Sequence, residues 1–141
     1  PSQKNYMKHL NKLASSLSVN NLKWVGERID TRTLLKRFDI FLCTSKAEAG
    51  PMTVYEAMSM EKPIVSTNVG AVPIYIKNDY NGFIVPVGDF LGMAKQIKIL
   101  IKSKSIRKEF GEKSRKIVMK RLDSTLCAHK HLKVFTEVLD H

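Results

Sequence analysis

Glu48-Ala49-Gly50-Pro51-Met52-Thr53-Val54-Tyr55-Glu56-Ala57-Met58 is the stretch on which the fold turns. An apolar run ending in small polar residues precedes it, Phe38-Asp39-Ile40-Phe41-Leu42-Cys43-Thr44-Ser45. A short β-branched run follows it, Pro63-Ile64-Val65-Ser66-Thr67. The order is strand, loop, helix, strand, a βαβ unit. Gly50 precedes a proline and is pushed toward extended backbone, which ends the loop. Pro51 suits the first helical position, where its missing N–H would have had no partner. The N–H groups of Met52 and Thr53 are then free at a helix start, where the positive end of the dipole favours an anion. That start lies at the carboxyl end of a strand, the place where open parallel sheets bind ligands. The stretch therefore offers a phosphate seat, with Glu48 before it and Glu56 inside the helix.

The flanking sequence extends this pattern. Gln3 to Leu17 carries Met7, Leu10, Leu13, Ala14 and Leu17 at helical spacing. Leu22 to Val25 reads as a short strand closed by Gly26, and Asp30 or Thr31 can cap a helix running through Phe38. Asp39 to Cys43, Ile64 to Thr67 and Phe83 to Val85 read as further strands. Val72 to Lys77 reads as a short helix and Asp79 to Gly82 as a turn. Asp89 caps a helix to Lys102. Ser103 or Ser105 starts a long basic helix to about Leu122. Ser124 caps a last helix whose buried face is Leu126, Leu132, Phe135 and Leu139. Alternating strands and helices imply a parallel sheet of about four strands flanked by helices, a Rossmann-like α/β domain over residues 1–141.

Composition narrows the classes. A chain of 141 residues with 43% hydrophobic content can bury a single core. No apolar run approaches the roughly 20 residues of a membrane span. Cys43 and Cys127 are far apart and outside any ligand spacing, which fits free thiols in a reducing, cytoplasmic compartment rather than a metal site. The net charge of +11 is concentrated: Lys95 to Arg121 holds eleven Lys or Arg against Glu109 and Glu112. Such a face can be merely solvated, or it can meet an anionic surface at the inner membrane or a nucleic acid. Only Phe110 lies among these basic residues, at core spacing, so no base-stacking platform is expected.

Glu48-x7-Glu56 followed by Ala57-Met58, with Lys62-Pro63-Ile64-Val65 behind it, resembles the signature of family 4 glycosyltransferases, retaining enzymes of the GT-B fold. The resemblance continues through Asn68-Val69-Gly70-Ala71-Val72-Pro73, Asn81-Gly82-Phe83-Ile84-Val85-Pro86 and Gly88-Asp89, and upstream through Trp24-Val25-Gly26 and Phe38-Asp39-Ile40-Phe41. It implies the C-terminal, donor-binding half of the fold. Two strands carrying an Arg and a Lys for the donor diphosphate, normally in mid-sheet, would be expected before Gln3, along with an acceptor-binding domain. The isolated chain is therefore expected to be inactive. Departures are Ala49-Gly50 where the family has glycine and an aromatic residue, Ile74 for a common Glu, and Thr125 for a common Trp.

The resemblance also implies roles. Glu56 would bond the ribose hydroxyls, which suits a carboxylate with two acceptor oxygens. Glu48 would face the donor sugar and the charge developing at its anomeric carbon. Gly50, Met52 and Thr53 would offer main-chain donors to the diphosphate, and Arg28 and Ile29 would hold the base. No metal or further cofactor is implied. The partners are a nucleotide-sugar and a glycan or lipid acceptor. Two other readings stand beside this one. A same-fold UDP-sugar 2-epimerase is disfavoured by the Glu-x7-Glu spacing and its Ala-Met tail. A non-catalytic basic module would lack saturable nucleotide binding. If the basic face serves only solubility, nucleic-acid binding should be weak and should fall steeply as salt rises. A fluorescence titration across salt concentrations checks this, and tight, salt-resistant binding would contradict it.

Overall fold

The computed structural model describes residues 3–139; the outermost residues of the expected 1–141 domain lie outside that range. Three parallel strands form one sheet in the order β1 (Phe41–Cys43), β2 (Ile64–Thr67), β3 (Gly82–Val85). Phe41 pairs with Ile64 and Ile64 with Gly82, so the strands leave the sheet together at Cys43, Thr67 and Val85. Around them run α1 (Gln3–Ser16), α2 (Thr31–Arg37), α3 (Met52–Ser59), α4 (Val72–Tyr75), α5 (Phe90–Lys102), α6 (Lys104–Arg121) and α7 (Ser124–Leu139).

All four residues of β2 are buried, as expected of a strand covered on both faces. Successive residues point to opposite sides. Ile64 joins one core cluster with Cys43, Val54, Ala57, Met58, Val72 and Val118. Val65 joins the other with Phe83, Val85, Met93, Leu100 and Phe110. The long helix α6 serves both, giving Phe110 to one cluster and Val118 to the other. Its rotation is fixed by a buried polar pair. The Ser114 hydroxyl donates to the Asn81 carbonyl at 2.9 Å, and the Asn81 amide nitrogen donates to the Tyr75 carbonyl at 3.0 Å. Asn81 Oδ1 accepts from the Lys77 N–H at 2.8 Å, so this fully buried amide is satisfied. Near the end of α6, Arg121 lies over the Tyr75 ring at 5.2 Å, and Tyr75 meets Tyr55 of α3 edge-on at 5.1 Å.

Three expectations are corrected. The sheet has three strands rather than about four, because Leu22 to Val25 joins no ladder and leaves Leu22, Trp24 and Val25 exposed. A strand exists only as half of a hydrogen-bonded pair, and among the described residues none lies alongside this segment. It is tethered instead by Trp24 Nε1 donating to Asn11 Oδ1 of α1 at 2.7 Å. The apolar side of α7 is not a buried face: Leu132, Phe135 and Leu139 are exposed, because none of the described elements covers them. Capping differs in two places. The Asp30 carboxylate is taken by Arg28 and makes no bond to α2. The cap of α7 is Asp123, whose Oδ1 accepts from the N–H groups of Thr125 and Leu126, with Ser124 already inside the helix. Asp89 and Ser103 cap α5 and α6 as expected, accepting from Gly92 and Ile106.

Helices α3 and α6 meet where α3 ends. Glu61 turns the chain with φ +57°, and its carbonyl faces Gly111 of α6. A Cβ at position 111 would overlap that carbonyl oxygen. Gly111→Ala should therefore destabilise the fold by roughly 1–3 kcal/mol, read as a lower urea midpoint at unchanged slope; an unchanged midpoint would show that α6 can shift freely.

Candidate functional site

The site forms where the strands end. The chain leaves β1 at Cys43, crosses a loop from Thr44 to Gly50, and enters α3 through Pro51, which stands at the N-cap rather than at the first helical position. The Val54 N–H donates to the Pro51 carbonyl at 3.0 Å. Met52 and Thr53 therefore hold the amides without an intrahelical partner, and both residues are exposed. Val54, Ala57 and Met58 anchor the opposite side of α3 in the core. The helix start is thus fixed from below and open above.

A cavity of about 190 Å³ lies beside this helix, lined by Val25, Gly26, Arg28, Thr31, Leu34, Leu35, Phe38, Phe41, Thr53 and Glu56. It brings together Arg28, Thr53 and Glu56, three of the residues singled out in the sequence. Apolar walls with a few convergent polar groups are the usual character of a small-molecule site. Glu48, Gly50, Met52 and Ile29 do not line it. Ile29 stands fully exposed at a shallow opening with Val25, Glu27, Arg28 and Asp30. Glu48 and Gly50 stand on the loop after β1. The two carboxylates thus have different settings, Glu56 half-buried at the cavity wall and Glu48 exposed on the loop.

Arg28 is engaged. Its Nε and Nη2 donate to Asp30 Oδ1 and Oδ2, each at 2.7 Å. The hydrogen bond and the opposite charge hold the Arg28 guanidinium above its ordinary pKa, and the same bond holds the Asp30 carboxyl below its own. The pair ties two residues of the 26–30 loop beside the cavity, and the Arg28 Nη1 has no partner among the described residues. Tyr55 sits under the candidate loop. A Cβ built on Gly50 would meet its hydroxyl at 3.5 Å, an ordinary contact. Burial, and to a smaller degree Tyr75, raises the Tyr55 phenol above its usual pKa, so it stays protonated at neutral pH.

The residues that hold the Glu48 loop were not assigned roles from sequence. Gly70 has φ +47°, and any Cβ there would overlap the carbonyl oxygens of Glu48 and Ala49. The next residue, Ala71, donates its N–H to the Ala49 carbonyl at 2.8 Å. The Thr67 hydroxyl donates to the Ser45 carbonyl at 2.7 Å. The turn after β2 therefore grips the loop after β1. The only signal for this in the sequence was Gly70 itself, placed just after a β-branched run. Among the described residues, no group of three or more His, Cys, Asp or Glu is arranged to hold a metal ion, and no helix is long and apolar enough to cross a membrane. Gly70→Ala should push the two loops apart. Exchange of the Ala71 amide with deuterium should then quicken roughly tenfold, the worth of about one net hydrogen bond; an unchanged rate would show that the turn does not depend on the missing side chain.

Comparison with known proteins agrees with this architecture. The family model described as "Glycosyl transferases group 1" matches residues 3–117. The N-acetyl-alpha-D-glucosaminyl L-malate synthase of Bacillus anthracis is 28% identical over 116 residues, covering 82% of this chain and 30% of that protein. The capsular polysaccharide biosynthesis glycosyltransferase CapM of Staphylococcus aureus is 30% identical over 114 residues, 81% of this chain and 29% of its own. The crystal structure of Anabaena HepE in complex with UDP-glucose superposes with a TM-score of 0.91 at 22% identity, over 96% of this chain and 38% of that one. The chain thus spans about 30% of the length of the curated relatives it matches. Its sheet and helices have the Rossmann-like architecture found in GT-B glycosyltransferases. With a family model matching residues 3–117, most of its length, the chain belongs to the group 1 glycosyltransferases.

Proposed function

We propose that this chain is the donor-binding part of a retaining glycosyltransferase, one that holds a uridine nucleotide-sugar while its sugar passes to an acceptor. The observation that carries the reading is the cavity that joins Glu56, Thr53 and Arg28 beside the open start of α3. HepE, which shares the fold, was crystallised with UDP-glucose, and that supports uridine as the base to test first.

In this reading each group has one task. The Glu56 carboxylate accepts from the ribose hydroxyls at the cavity wall. The free amides of Met52 and Thr53, with Gly50 before them, receive the diphosphate, and the dipole of α3 favours its charge. The loop at Arg28 and Ile29 borders the base. Glu48, exposed on its loop, faces the sugar. As the anomeric C–O bond to the diphosphate lengthens, positive charge grows on the sugar ring, and a fixed carboxylate stabilises it. The acceptor oxygen takes the anomeric carbon, its proton departs with the nucleoside diphosphate, and the acceptor is a glycan or a lipid carrier. The basic residues of α5 and α6 would then favour an anionic surface nearby.

The two carboxylates should be separable by experiment. Glu56→Ala should weaken UDP binding by roughly 1.5–3 kcal/mol, about ten- to a hundredfold, the worth of a charged hydrogen-bond acceptor. Glu48→Ala should leave UDP affinity within about twofold, because a contact to the sugar is absent from UDP. Titration of the 141-residue chain by nuclear magnetic resonance, which reaches millimolar dissociation constants, measures both. Equal losses in the two variants would refute the division of roles.

A further inference from the structure

The Glu48 side chain does not hang freely from its loop. Its Oε1 accepts from the Ser45 hydroxyl at 2.7 Å. The Ser45 oxygen in turn lies 3.7 Å from the buried Cys43 thiol, a weak donor aimed at it. The Ser45 carbonyl is held by the hydroxyl of Thr67, which is 4% exposed and closes β2. The Cys43 carbonyl lies 3.4 Å from the same hydroxyl. One buried group therefore ties down the main chain that leaves β1, and Ser45 passes that constraint to the carboxylate. On the far side of Glu48, the Ala49 carbonyl is fixed by the Ala71 N–H, and Gly70 leaves no room for the loop to move inward. Glu48 is held from both directions.

We infer that Ser45 is a positioning residue for Glu48: its hydroxyl, set by Thr67 and Cys43, fixes one carboxylate oxygen and leaves Oε2 for the ligand. The inference rests on the donor-site reading, in which Glu48 meets the sugar. An exposed glutamate samples many rotamers, and holding it in one loses conformational entropy. With Ser45 in place, that cost falls in the folded protein before a ligand arrives, which is what preorganisation means at a charge-stabilising site. Ser45→Ala removes only the hydroxyl, so the carbonyl that Thr67 holds is retained and the fold should be undisturbed.

The test compares UDP with UDP-glucose on the 141-residue chain, by titration under nuclear magnetic resonance, for the wild type, Ser45→Ala, Ser45→Thr, Glu48→Ala and the Ser45→Ala/Glu48→Ala pair. Ser45→Ala should weaken UDP-glucose by roughly three- to tenfold, the ordering cost of one flexible side chain that the ligand must then meet, and leave UDP within about twofold. Ser45→Thr should restore the affinity, since it keeps a hydroxyl. In the Glu48→Ala background, Ser45→Ala should have no further effect, because the two act as one unit. A purely structural Ser45 would weaken both ligands alike, or would add to Glu48→Ala; either result overturns the inference while the donor-site reading stands. Failure of the wild type to bind either nucleotide overturns the donor-site reading, and this inference with it.

Discussion

The structure depends on one short strand buried on every side. Among the described residues, Ile64 to Thr67 is the only strand with a neighbour on both edges, and all four of its residues are buried. A parallel strand in this position must satisfy its backbone in two ladders and its side chains in two cores. Ile64 and Val65 serve the cores on opposite sides. Ser66 and Thr67 are polar yet buried, and their hydroxyls close on main-chain carbonyls at the sheet's end. The same strand that organises packing therefore also starts the grip on the loop after β1.

That grip separates the two halves of the site. Glu56 belongs to α3, and α3 is set by Val54, Ala57 and Met58 in the core. Its position follows from packing, like any core-facing helix. Glu48 belongs to a loop with no core residue of its own, and its position follows from hydrogen bonds that reach across from β2. The backbone that carries the first carboxylate is set by the core, and the second carboxylate is held by a few polar contacts.

How far the sequence could be read follows the same division. The strands Phe41–Cys43, Ile64–Thr67 and Gly82–Val85 and the helices α5 and α6 were legible because their signals are local: β-branched runs, apolar spacing and capping residues. Glu56 and Thr53 were singled out through a known signature and Arg28 through its place after Gly26, and the fold brings all three to one cavity. Leu22 to Val25 has the composition of a strand, yet pairing is a property of two segments, and no periodicity in one of them reports on the other. The apolar spacing of α7 correctly marks an amphipathic helix, but spacing does not say whether anything covers the face. Asp30 was a sound cap by type, and it was lost to a better donor two residues away, Arg28. The contacts of Ser45, Thr67 and Gly70 link residues some twenty positions apart, beyond the reach of any local rule.

The buried pair Asn81–Ser114 makes α6 act as a caliper. Phe110 and Val118 in the two cores already resist a roll of the helix, and a roll here would also strand two polar groups away from water. Setting the helix at Ser114 also sets what lies two turns further on. Arg121 meets Tyr75, Tyr75 meets Tyr55, and Tyr55 underlies Gly50. A single residue of rotation at Ser114 would swing Arg121 through roughly 100° and take the outermost support from that stack. The packing beneath Gly50 thus depends on a buried serine of α6 far along the chain.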